Sequence, residues 1–273
     1  VLVVKGILEG NLIFLGPRAS SGDFFLGPIY YYMMAPFLWL WGLNPVGPAV
    51  MIAVLGIATV YLVYRIGKEM FGVTAGLIAA ALYAVSPLVV QFSKSSWNPN
   101  AVPFFSLLMM YLLYRAIKQS SWKLYLASGV LFGILMQLHY IVVILGIIAG
   151  LSIIIGNYMS GKKQNFKTAF TRMGLGALAT AGGTIIGLAP FLAFEIKNGF
   201  PNMRTILSFV TDNSVGGKTS GAPFTWIISD AFLRVWGRLL LVFPSNPVQN
   251  TLEFWVLAIW IIGIITLAVC SVV

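Results

Sequence analysis

Residues 24–64, FFLGPIYYYMMAPFLWLWGLNPVGPAVMIAVLGIATVYLVY, run for 41 positions without a charged side chain. That run decides the fold class. A span of the hydrocarbon core needs roughly 20 apolar residues as a helix, and an open strand there would leave its backbone polar groups unsatisfied. Asn44-Pro45 and Gly47-Pro48 divide the run into an aromatic segment, Ile29 to Leu43, and a span from about Val46 to Tyr64. The aromatic segment is too short to cross. Its Tyr30, Tyr31, Tyr32, Trp39 and Trp41 suit a helix lying in the interface, where amphipathic rings prefer to sit.

The rest of the chain follows the same pattern. Met70 to Ser93, Ser95 to Tyr114, Leu124 to Gly161 (two spans with a turn near His139-Tyr140) and Met173 to Phe194 are further apolar runs, and Phe254 to Val273 is a last one. Hydrophobic residues make up 59% of the 273 positions and charged ones 9%, against about 25% charged in a soluble chain. A cytosolic enzyme is thereby excluded. We expect an all-α, polytopic transmembrane bundle with an interfacial juxtamembrane helix, forming one domain over 1–273. Within it, 1–45 is a loop plus juxtamembrane helix, 46–194 holds five spans, 195–225 is a polar loop, and 226–273 holds further membrane segments. Val1 in place of Met, and Val273 inside an apolar run, lead us to read the chain as a piece truncated at both ends.

The net charge of +10 is scattered singly between apolar runs and forms no basic face for nucleic acid. It reports topology instead. Arg65, Lys68, Arg115, Lys118, Lys123, Lys162, Lys163, Lys167 and Arg172 fall in three short loops with one acid, Glu69. By the positive-inside rule that side is cytoplasmic. Glu9, Asp23, Glu195, Asp212, Asp230 and Glu253 then fall on or toward the outer face, with Lys94 to Asn100 and His139. The expected location is a multi-pass protein of the plasma or inner membrane with its chemistry extracytoplasmic. Gly174, Gly176, Gly182, Gly183 and Gly187 give one span a small-residue face for close packing.

Four polar clusters could carry chemistry. Arg18 and Asp23 enter the aromatic helix and could handle an anionic or hydroxylated ligand, although Asp23 would equally cap that helix. Lys94-Ser95-Ser96-Trp97-Asn98-Pro99-Asn100 offers a cation, two hydroxyls, two amides and an indole, groups suited to a phosphate and to sugar hydroxyls. His139 is the only His and, with the lone Cys270, leaves a zinc site improbable. Glu195 lies at a span end, where low dielectric favours a general base, and Lys197 and Arg204 follow it. Asp230, Arg234 and Arg238 share a helical face and read as a structural ion pair.

The order of these features resembles the GT-C glycosyltransferases that use lipid-linked sugars, particularly the branch of protein O-mannosyltransferases and aminoarabinose transferases. The likeness rests on Gly22-Asp23-Phe24-Phe25-Leu26-Gly27-Pro28-Ile29-Tyr30-Tyr31-Tyr32, Trp97-Asn98-Pro99-Asn100, Gln137-Leu138-His139-Tyr140 and Phe194-Glu195-Ile196-Lys197-Asn198-Gly199-Phe200-Pro201. It implies a polyprenyl-phosphate sugar donor, a lipid, glycan or protein acceptor, and inverting transfer to a hydroxyl in the cell envelope, among membrane lipids and without nucleic acid. Arg18, Lys94, Lys197 and Arg204 would hold the phosphate, and Asn98, Asn100 and His139 the sugar. Asp23 and Glu195 are the carboxylates in view for catalysis or for a divalent cation. The resemblance puts the family's principal carboxylate upstream of Val1 and places Asn98 at a position otherwise acidic. A secondary transporter or flippase for a lipid-linked or anionic substrate is the alternative, with a scaffolding subunit third. The spans before Glu195 carry no interior acid for proton coupling.

Overall fold

Where water is absent, each backbone N–H and C=O must find a partner within its own segment. The computed structural model describes residues 1–19, 23–161 and 166–211, and these meet that demand with helices. In chain order they are α1 (Leu2–Leu8), α2 (Ile29–Leu40), α3 (Val46–Phe71), α4 (Val73–Val85), α5 (Pro87–Phe92), α6 (Val102–Gln119), α7 (Trp122–Leu138), α8 (Val143–Gly161), α9 (Phe166–Lys197) and α10 (Pro201–Thr211). Short 3-10 turns, Asn98–Ala101 and Tyr140–Val142, lead into α6 and α8. The described residues contain no named strand, only a single antiparallel bridge between Arg18 and Phe25. Among the described residues four helices, Val46–Phe71, Asn98–Gln119, Tyr140–Met159 and Lys167–Lys197, are long and apolar enough to cross a membrane, while Val73–Val85 and Trp122–Leu138 are apolar but shorter.

Two boundaries differ from the sequence reading. The span expected to end near Tyr64 continues to Phe71, because Arg65, Lys68 and Glu69 are good helix formers and nothing interrupts them before Gly72, whose φ of 95° ends the helix. The run expected over Met70 to Ser93 is two helices: Ser86 is extended ahead of Pro87, as a residue before proline tends to be, and α5 restarts there. The described residues of 46–194 hold seven helices, α3 to α9, and the four long and apolar enough to cross are among them. The expectations for Asp230, Arg234, Arg238, Cys270 and the segments beyond 211 lie outside the described residues.

The centre of the bundle is the α7–α9 pair. A Cβ on Gly129 would lie 2.0 Å from the Thr180 carbonyl oxygen, and one on Gly183 would lie 2.1 Å from that of Leu126. Only hydrogen fits at these crossings; of the small-residue face expected of this span, Gly176, Gly183 and Gly187 pack closely on α7, whereas Gly174 and Gly182 make no close approach. Around the pair, Met109, Leu113 and Ala116 of α6, Tyr125 and Leu135 of α7, and Ala149 and Ile153 of α8 form one core cluster. A second cluster packs Tyr30, Met34, Ala35 and Leu38 of α2 against Val4, Met51, Ile52, Ala101 and Leu138. The aromatic helix therefore buries one face on α3 and α7 and leaves Trp39 and Leu40 exposed.

Alternation of the helices sends the chain's polar stretches to two ends. At one, Arg65, Lys68 and Glu69 of α3 meet the end of α6, where Tyr111 Oη donates to Glu69 Oε2 at 2.5 Å and Arg115 reaches the same hydroxyl at 3.2 Å. At the other, the 9–28 loop, the start of α2, the 93–100 turn, Gln137 and Leu138 at the end of α7, and the α9–α10 junction interlock through long-range hydrogen bonds.

Candidate functional site

Residues 16–19 and 24–26 pair as the two arms of a narrow hairpin. Gly16 N–H donates to Leu26 O at 2.8 Å, Ala19 N–H to Phe24 O at 2.9 Å and Leu26 N–H to Pro17 O at 2.9 Å. Arg18 and Asp23 face each other across it as an ion pair, with both side chains largely exposed. The hairpin's far end is pressed onto α7, where a Cβ on Gly27 would come within 2.3 Å of the Gln137 side chain. Gln137 is buried and bridges three elements: its Oε1 accepts from Ile29 N–H at 3.3 Å and its Nε2 donates to Gly187 O at 2.6 Å. The amide thus ties the start of α2 to α7 and α9. Tyr32 Oη adds a tether by donating to Ile13 O at 2.8 Å and accepting from Ile13 N–H at 3.0 Å.

Facing the hairpin is the 93–100 turn. Asn98 Nδ2 donates to Leu138 O at 2.6 Å, and Tyr30 Oη shares a 2.8 Å hydrogen bond with Ser96 Oγ. Asn100 closes the turn on itself, its Nδ2 donating to Phe92 O and Ser95 O at 2.9 Å each. His139 connects α7 to the next 3-10 turn in an extended conformation, and its Nδ1 accepts from Ile141 N–H at 3.2 Å. That contact assigns the proton of the neutral ring to Nε2. The ring stacks on Tyr140 at 4.6 Å, and Tyr140 meets Phe24 edge-on at 5.8 Å. Burial holds the His139 imidazole below its ordinary range, because partial desolvation disfavours the charged ring.

Between hairpin and turn lies a cleft of about 70 Å³ lined by Arg18, Ala19, Leu26, Trp97, Asn98, Pro99, His139 and Tyr140. It presents a guanidinium, an amide and an imidazole, groups able to contact an anion and hydroxyls together. Trp97 and Pro99 also line a larger apolar groove of about 400 Å³ that descends between α3, α4 and α6 past Phe92, Tyr83 and Ile52. A polar cleft and an apolar groove thus share one rim.

Of the residues expected from sequence, the fold brings Arg18, Asn98 and His139 into one cleft and adds Asp23 through its pair with Arg18. Lys94, Lys197 and Arg204 are exposed and form no ion pair with described residues. Asn100 works within its own turn. Glu195 is fully buried, and its carboxylate accepts from Asn202 Nδ2 at 2.7 Å, Asn202 N–H at 3.3 Å and Met203 N–H at 3.0 Å. It occupies the N-terminus of α10, where backbone N–H groups favour an anion. Asn202 escaped the sequence reading, and its only local signal is its place just after Pro201, at the start of a helix. Among the described residues no group of three or more His, Cys, Asp or Glu is assembled.

Comparison with known proteins gives a family for more than half of the chain. Residues 26–183 match the family described as dolichyl-phosphate-mannose-protein mannosyltransferase. A stretch of 107 residues is 30% identical to YycA of Bacillus subtilis (strain 168), provisionally named a mannosyltransferase, and covers 39% of this chain and 16% of that protein. No solved structure matches the chain.

Proposed function

The chain belongs to the dolichyl-phosphate-mannose-protein mannosyltransferase family, a membrane-associated group of glycosyltransferases, and from that premise we propose how its polar end works. The donor is a sugar carried on a polyprenyl phosphate. Its tail stays in the bilayer and its phosphate and sugar enter the cleft of Arg18, Asn98 and His139 on the extracytoplasmic face. The observation that carries the reading is the meeting of these three side chains, far apart in sequence, at the rim of an apolar groove.

In the proposed reaction a carboxylate takes the proton of the acceptor hydroxyl, the hydroxyl oxygen attacks the anomeric carbon, and the carbon–oxygen bond to the phosphate breaks with inversion. Negative charge then grows on the departing phosphate. Arg18 stands where a fixed cation would stabilise that charge, and Lys94, Lys197 and Arg204 are exposed cations available to the same headgroup. Asn98, with its carbonyl oxygen, and His139, with Nε2–H, orient sugar hydroxyls. Asn100 supports them by shaping the turn. Of the two carboxylates in view, Asp23 is exposed and gives one oxygen to Arg18, whereas Glu195 is buried with both oxygens taken up by Asn202 and Met203. We therefore assign proton acceptance to Asp23 within this part of the chain and positioning to Glu195.

The test is transfer from a panel of polyprenyl-phosphate sugars by the full-length protein in liposomes, read by mass spectrometry. Transfer that Arg18→Ala weakens supports the reading. Movement of the lipid-linked sugar across the bilayer without transfer would favour a flippase instead.

A further inference from the structure

The hydrogen bonds of Glu195 continue beyond α10. Asn202 gives its Nδ2 to Glu195 Oε1 at 2.7 Å, and its Oδ1 accepts from Phe25 N–H at 2.8 Å, a contact across 177 positions of sequence. Phe25 is the bridge partner of Arg18. A continuous path therefore runs from the buried end of α9, through the first turn of α10, to the strand that carries the cleft's guanidinium. Each link is well formed. Asn202 is itself buried, so its amide has no water to replace a lost partner. The turn that folds α10 back is equally specific: Gly199 and Phe200 both adopt positive φ, 73° and 61°, and Phe200 N–H donates to Glu195 O at 2.8 Å. A left-handed Phe is costly and is held here by the contacts on either side of it.

We propose that Glu195 and Asn202 form a latch that positions the hairpin, and with it Arg18, over the cleft. This rests on the glycosyltransfer reading for its consequence but not for its geometry. Both are positioning residues: neither lines the cleft, and each acts through Arg18. Removing the Asn202 amide frees the Phe25 N–H and lets the Arg18 strand move relative to Asn98 and His139. An ångström of misplacement suffices to weaken a fixed charge contact strongly. Because Arg18 meets a phosphate whose charge grows toward the transition state, and Asp23 rides on the same hairpin, the loss falls on donor kcat/KM and lowers kcat with it.

The experiment compares the full-length wild type with Asn202→Ala and Glu195→Gln in lipid nanodiscs. Hydrogen exchange by mass spectrometry follows the peptide spanning residues 16–28, with peptides of α6 and α7 as internal reference, and transfer kinetics follow in parallel. Asn202→Ala is expected to speed exchange in 16–28 alone and to lower donor kcat/KM on the order of 10- to 100-fold. Glu195→Gln keeps the shape but weakens the acceptor, and falls between. Unchanged exchange in 16–28 would overturn the latch whatever the activity. Faster exchange with donor kcat/KM unmoved would overturn the positioning role and leave a structural contact. If wild type transfers no sugar from any donor, the glycosyltransfer reading fails while the exchange comparison still decides the latch. Should Asn202→Ala fold poorly, seen as faster exchange in α6 and α7, Glu195→Gln carries the same comparison.

Discussion

Arg18 and His139 carry the sharpest expectations at the scale of single residues. Replacing Arg18 by Ala removes a charge-assisted contact to the proposed phosphate, and such contacts contribute about 1.5–3 kcal/mol. The donor kcat/KM is expected to fall roughly 10- to 100-fold with the fold retained, because the side chain is mostly exposed. For His139 the sign follows from burial. Its folded value lies below the ordinary 6.5, so as pH falls the unfolded chain takes up the proton first. The stabilisation from the neutral ring is complete above 6.5 and is lost as pH drops through the lower folded value. Protonation also ends the acceptance of Ile141 N–H by Nδ1. Thermal unfolding of wild type between pH 7.5 and pH 5 should therefore fall more steeply than that of His139→Gln; parallel curves would contradict it. These residues were legible because a cation, an amide and an imidazole stand out in so apolar a chain. Glu195 also stood out, but its role did not: its partners Asn202 and Met203 follow a turn with two positive φ values, and Phe25 reaches them only in three dimensions.

At the scale of elements, the α7–α9 crossing and the break between α4 and α5 differ in how far sequence shows them. The glycine face of α9 was evident, but its match on α7, Gly129 and Gly133, was not; pairing two such faces requires the tertiary arrangement. Gly129→Val would drive two methyl groups toward a carbonyl already 2.0 Å from a single Cβ, and overpacking of this kind costs about 3 kcal/mol or more. Loss of detergent-solubilised folded protein is the expected result, whereas Gly150→Ala, where no atom lies within 4 Å of the added Cβ, should be silent. Gly27→Ala should act more locally. Its Cβ collides with Gln137, so the start of α2 and the hairpin shift together. Fluorescence of a cleft-directed probe, or donor KM, would report that shift. Helix ends were less legible than helix existence: amphipathic Arg65, Lys68 and Glu69 extend α3 past its apolar run, as long side chains do at an interface.

At the scale of the whole molecule, alternating helices separate the charge. Arg65, Lys68, Arg115, Lys118 and Lys123 end up with Glu69 at one end, and the cleft, Lys94, Glu195 and Arg204 at the other. Under the proposed topology, the positive-inside bias turns the cleft outward. Single cysteines at Lys94 and Lys197 should react with an impermeant reagent from outside intact cells, and one at Lys68 should not. The central claim joins this orientation to chemistry. Its most direct test is sugar transfer by full-length protein reconstituted in liposomes, wild type beside Arg18→Ala and Asn98→Ala, from polyprenyl-phosphate donors. The account predicts transfer by wild type and a drop of at least about tenfold in donor kcat/KM for both variants. Equal turnover in all three would contradict it.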